Sequence, residues 1–66
     1  MNAIFDIRKI RIRRNIKKVR LELDLAMDKY RLAITQGDEN KIKTANDNVI
    51  KIRDYYELLM KELDSI

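Results

Sequence analysis

The sequence predicts an all-α protein, an antiparallel hairpin of two helices, and three observations support this. Apolar residues recur at alternating spacings of three and four along two segments, Gly37 separates those segments, and the chain has no proline and one glycine. The alternating spacing draws one narrow apolar stripe along a helix, and two such stripes bury each other by knobs-into-holes packing. We therefore expect a single domain over residues 1–66.

Helix 1 is expected from about residue 3 to residue 36. It is expected to end there because Gly37 suits the left-handed backbone position that closes a helix. The apolar stripe predicted to face helix 2 consists of Ile12, Ile16, Val19, Leu23, Ala26, Tyr30 and Ala33.

The turn is expected at residues 37–38 and helix 2 at about residues 39–64. Asp38 can cap helix 2 by accepting hydrogen bonds from backbone N–H groups, and Glu39 is favourable in the first turn. The stripe of helix 2 consists of Ile42, Ala45, Val49, Ile52, Tyr56, Leu59 and Leu63.

The two stripes fit each other in antiparallel order. Folding the chain at Gly37 gives seven pairs, and in each pair the two residue numbers add up to 75. Near the turn a large side chain meets a small one, as in the pair of Tyr30 with Ala45 and the pair of Ala26 with Val49. This complementarity keeps the distance between the helices even.

One other fold can be drawn from the N-terminal segment. Residues 7–13 partly alternate between apolar and basic, and a basic strand followed by two helices resembles the ribbon-helix-helix DNA-binding proteins. However, the helix after such a strand would exceed twenty residues and Gly37 would come too late for that family. Ile12 and Ile16 also continue the helical stripe, so we favour the hairpin.

A second apolar stripe on helix 1 predicts self-association. It lies roughly opposite the first stripe, and two helices that touch along one seam bury little apolar surface for a chain of this length. We expect a homodimer that forms a four-helix bundle, with a protein partner as the alternative occupant of this face. The stripe consists of Ile7, Ile10, Leu21, Leu25 and Leu32.

Charge is distributed unevenly along the chain. Residues 1–20 carry a net charge of +7 and residues 21–66 a net charge of −3, which together give the total of +4. In the hairpin, the basic end of helix 1 lies beside four carboxylates of helix 2, too few to neutralise eight cations. The eight cations are Arg8, Lys9, Arg11, Arg13, Arg14, Lys17, Lys18 and Arg20.

Nucleic acid is the partner that we expect for this basic tract. Phosphate backbones attract such a surface through counterion release, and arginine makes forked contacts to phosphate. Arg11, Arg14 and Lys18 share one outer face and could follow a single strand. The alternative function is a small adaptor or inhibitor that docks a helix face onto a larger protein, with an acidic protein surface as the partner of the basic tract. We do not expect membrane binding.

Enzymatic activity is not expected. The chain has no histidine or cysteine, its one serine is Ser65 near the end of the sequence, and no glycine-rich loop is present to hold a phosphate. We therefore predict no small-molecule substrate, no cofactor and no metal site. The longest uncharged run covers residues 32–37, and charges at Asp6 and Arg8 interrupt the start of the chain. We expect a cytoplasmic protein without a targeting segment.

Overall fold

The protein is an α-helical hairpin. A computed structural model describes the backbone of residues 3–65 and the side chains of residues 7–65. Helix α1 spans Ala3–Gln36 and helix α2 spans Glu39–Asp64. The hairpin is about 55 Å long and 15 by 11 Å across. The predicted two-helix hairpin is confirmed, and the strand considered for residues 7–13 is ruled out because α1 is helical throughout that segment.

The turn is formed by local hydrogen bonds around Gly37. Its backbone has a φ of 73°, in the left-handed region, and its N–H donates to the carbonyl oxygens of Ala33 at 3.0 Å and Ile34 at 3.1 Å. These bonds satisfy carbonyls that the end of α1 would otherwise leave unpaired. A glycine is favoured here because a Cβ clashes with the backbone at positive φ.

Replacing Gly37 by Ala is expected to lower the free energy of unfolding by about 1–2 kcal/mol. The loss comes from the backbone conformation alone, since a Cβ at Gly37 would meet no atom within 4 Å. Urea denaturation followed by circular dichroism measures the change, and Lys43→Ala, at an exposed position of α2, is the control. Equal stability of the Gly37→Ala variant and the wild type would contradict the strained-turn account.

Asp38 begins α2. Its Oδ1 accepts hydrogen bonds from the backbone N–H groups of Asn40 at 3.0 Å and Lys41 at 3.2 Å, and its carbonyl oxygen accepts from the N–H of Ile42 at 2.9 Å. Asp38 has extended backbone angles, as an N-cap residue should. The glycine and the aspartate together fix the point at which the chain reverses.

The seam between the helices contains all fourteen predicted residues. Five are buried and the other nine are half-buried, whereas nearly every other described side chain is exposed. The buried residues of α1 lie seven apart, one on every second turn. The five buried residues are Ile12, Val19, Ala26, Ala33 and Leu59.

The core is thin. No described side chain is less than 2% exposed, and eleven large apolar side chains of the described residues are exposed. Two helices can shield each other only along one line of contact, which leaves the rest of each helix in water. The fold therefore presents several candidate binding surfaces and little protected interior.

Candidate nucleic-acid interface

The basic tract Arg8–Arg20 lies on one uninterrupted stretch of α1. At 1.5 Å per residue it is about 18 Å long, and it contains eight cations and no acidic residue. Seven of the eight side chains are exposed. Helix geometry therefore holds a dense row of positive charge in contact with solvent.

Lys9 differs from the other seven cations because its side chain is half-buried. It precedes Ile12 by three residues, so it occupies the next position of the seam at the open end of the hairpin. A lysine fits such a place because its aliphatic stem can pack while its ammonium group reaches water. We assign Lys9 to the seam and leave the exposed cations as the candidate contacts.

An open groove near the turn shows which side chains share a face of the hairpin. Its volume is about 670 Å³, and it is lined by α1 and α2 together. A hydrogen bond of 3.5 Å from Lys41 Nζ to Gln36 Oε1 joins the helices on this side. We call this side the groove face. Its lining residues are Ala26, Lys29, Leu32, Ala33, Gln36, Asn40, Lys41, Thr44, Ala45 and Asn48.

Three of the cations lie on the opposite side, which we call the back face. Groove residues of α1 such as Lys29 follow a seam residue by three positions, whereas Arg13 and Arg20 follow Ile12 and Val19 by one. A step of one residue turns the helix by about 100°, to the other side of the seam. Lys17 lies between the two arginines on the same face. Arg13, Lys17 and Arg20 form what we call the first basic row.

Arg53 of α2 extends the first basic row across the hairpin. It follows Ile52 by one residue, whereas the groove residues Lys41 and Asn48 each precede a seam residue, so it lies on the back face. In the seam register its level is about two residues, or roughly 3 Å along the axis, from that of Arg20. Arg53 is not among the predicted contact residues, although its position one residue after the seam is visible in the sequence.

A second basic row consists of Arg11, Arg14 and Lys18. Arg14 and Lys18 follow seam residues by two positions, which places them on the side of α1 that points away from α2. This is also the side of the predicted second apolar stripe. The eight cations therefore do not form one surface, and the second row competes for space with exposed leucines.

The basic tract is not neutralised by the described part of helix α2. Among the described residues there is one ion pair, between Arg31 and Asp28 at 3.4 Å within α1. Asp54 follows Ile52 by two residues and so points away from α1. Glu57 and Asp24 each follow a seam residue by one and so lie on the back face, but neither forms an ion pair with the first basic row. The described carboxylates of α2 therefore form no ion pair with the basic tract, and its positive charge remains available to a partner.

The predicted oligomer face is fully exposed. All five of its members have exposed side chains, and Leu21 and Leu25, at 65% and 62%, are the most exposed large apolar residues described. The other three are Ile7, Ile10 and Leu32. They lie on one side of α1, interrupted by the second basic row and by Asp28.

Other kinds of site have less support. Residues 7–65 contain no cluster of three or more carboxylates that could hold a metal ion. Neither described helix combines the length and the hydropathy needed to cross a membrane. Comparison with protein-family models, with curated proteins and with solved structures gave no match to this chain.

Proposed function

We propose that the protein is a non-enzymatic nucleic-acid-binding module and that its first basic row, with Arg53, contacts phosphate groups. The observation that supports this is a patch of four exposed cations from two helices, none of which pairs with a described carboxylate. Three of the four are arginines, whose planar guanidinium group matches a phosphate in a two-pronged contact. The module works as a homodimer of four helices.

The geometry favours contact with the phosphate backbone of the nucleic acid over sequence-specific contact with the edges of its bases. A straight, rigid row of cations can track a line of phosphates, and phosphate contacts position a protein without specifying sequence. The proposal is therefore binding with little sequence preference and strong dependence on salt.

A titration of fluorescently labelled oligonucleotides tests this function. If each hairpin neutralises four phosphates of a duplex, log affinity should fall with log salt concentration at a slope of about −3.6, so affinity should drop about 150-fold between 50 and 200 mM salt. A 20-base-pair duplex and a single strand of the same length are titrated by fluorescence anisotropy. Absence of binding to either at 50 mM salt would eliminate the function.

The second candidate function is that of a protein adaptor, and the exposed apolar residues of α2 favour it. Tyr55 and Leu58 are 48% and 52% exposed. Each precedes a seam residue by one position, as the groove residues Lys41 and Asn48 do, which places them on the groove face of α2. An adaptor would show no affinity for either oligonucleotide at 50 mM salt and would lose its partner when Leu58 is replaced. The titration therefore separates the two functions.

A further inference from the structure

We propose that the partner on the oligomer face is a second copy of this chain, joined through the two α1 helices in antiparallel orientation with Leu21 against Leu25 of the second copy. This specifies the dimer that the proposed function uses. It can nevertheless be tested without nucleic acid, so the two proposals can fail separately.

The exposed area of the hairpin indicates how much surface a partner should cover. A folded monomer of 7.9 kDa is expected to expose about 4,400 Å², whereas this chain exposes 5585 Å². The excess is roughly 1,200 Å², and a standard interface removes about 800 Å² from each partner. An interface of ordinary size would remove about two thirds of this excess from each chain.

Charge selects the orientation of the two α1 helices. In a parallel pair the tract Arg8–Arg20, with a charge of +8, would lie beside an identical tract. In an antiparallel pair whose paired residue numbers add up to 46, each tract lies beside residues 26–38 of the other copy, which carry two acidic and two basic residues and no net charge. The antiparallel arrangement therefore removes a strong repulsion.

The pattern along the oligomer face selects the register. When paired residue numbers add up to 46, Leu21 meets Leu25 on both sides of the twofold axis and Asp28 meets Lys18 of the second copy. Arg14 then meets Leu32, which its aliphatic stem can cover. A shift of one heptad in one direction places Leu21 against Lys18, and a shift in the other direction places Leu25 against Asp28. In neither of those two registers does Leu21 pack against Leu25 of the second copy.

The arrangement fixes the order of the four helices. Oligomer-face residues such as Leu21 follow a seam residue by two positions, so they point away from α2. The two α1 helices are then central and the two α2 helices lie outside them. The twofold axis of such an antiparallel pair runs along the normal of the layer, so the first basic rows of both copies face the same side.

Charge exchange tests the register. Asp28→Lys and Lys18→Asp should each raise the dimer dissociation constant about tenfold or more, because two attractive pairs become repulsive. The double variant with both substitutions should return close to the wild-type value. Sedimentation velocity across a range of chain concentrations measures the constant, and circular dichroism checks that each variant keeps its helices. Failure of the double variant to recover would overturn the register.

A pair of leucine variants tests the face independently. Leu25→Glu should abolish the dimer, whereas Leu58→Glu, at another exposed position on the groove face of α2, should leave it intact. The reverse result would overturn the proposal and favour a dimer through the groove face. A wild-type chain that stays at 7.9 kDa at 100 µM would overturn the second copy as the partner.

Discussion

Replacing Leu59 by Ala is expected to lower the free energy of unfolding by about 2–5 kcal/mol. Leu59 is 4% exposed and is the buried residue of α2 among those described, opposite Ile16 in the seam. The substitution removes apolar contacts and leaves a cavity that two rigid helices cannot close. Since small domains have about 5–15 kcal/mol in total, this is a large fraction of the stability. Denaturant unfolding followed by circular dichroism measures it.

Leu58 provides a matched control for this prediction. It is the same residue type one position earlier in the chain, but it is 52% exposed. Leu58→Ala has the same effect on helix propensity and should change the free energy of unfolding by less than about 0.5 kcal/mol. Similar losses in the two variants would mean that burial in the seam does not determine stability.

Removing the first basic row is expected to weaken nucleic-acid binding about a hundredfold at 50 mM salt, from roughly 1 kcal/mol for each lost contact. The variant carries Arg13→Gln, Lys17→Gln and Arg20→Gln, which keep long polar side chains that form helices well. The slope of log affinity against log salt should fall from about −3.6 to about −0.9, because Arg53 alone remains. Fluorescence anisotropy at several salt concentrations gives both values.

A second triple variant removes the same charge from elsewhere on the hairpin. Lys29→Gln, Lys43→Gln and Lys51→Gln replace exposed lysines outside the basic tract. If binding depends on net charge alone, the two triple variants should lose affinity equally. If it depends on the first basic row, the control should keep the wild-type slope. Equal losses would refute a localised interface.

The fold could be predicted from the sequence because local and long-range signals agree at each position. Gly37 and Asp38 act within a few residues, through a left-handed backbone and a cap, so their roles depend on neighbours that the sequence displays. The seam joins residues that are far apart in the chain, but the spacing of its apolar residues by three and four allows one pairing of the helices that buries both stripes. Tyr30 and Ala45 add a match of size at one level.

The candidate site was less accessible to sequence reasoning. The composition of the tract Arg8–Arg20 shows its charge, but which cations share a face depends on their position relative to the seam. Lys9 was grouped with the exposed cations because a lysine on an apolar stripe looks like an interruption, while the structure half-buries it. Arg53 was missed because it lies 33 residues from Arg20 in the chain and becomes its neighbour only after the chain reverses.

The back face of the hairpin, with the first basic row and Arg53, is the surface that we propose meets nucleic acid. The most direct measurement is nuclear magnetic resonance of the isotopically labelled protein titrated with a 20-base-pair duplex at 50 mM salt. We predict that the amide signals of Arg13, Lys17, Arg20 and Arg53 shift most and that those of the groove residues Thr44 and Asn48 stay in place. Shifts centred on the groove, or no shifts at saturating duplex, would contradict the account.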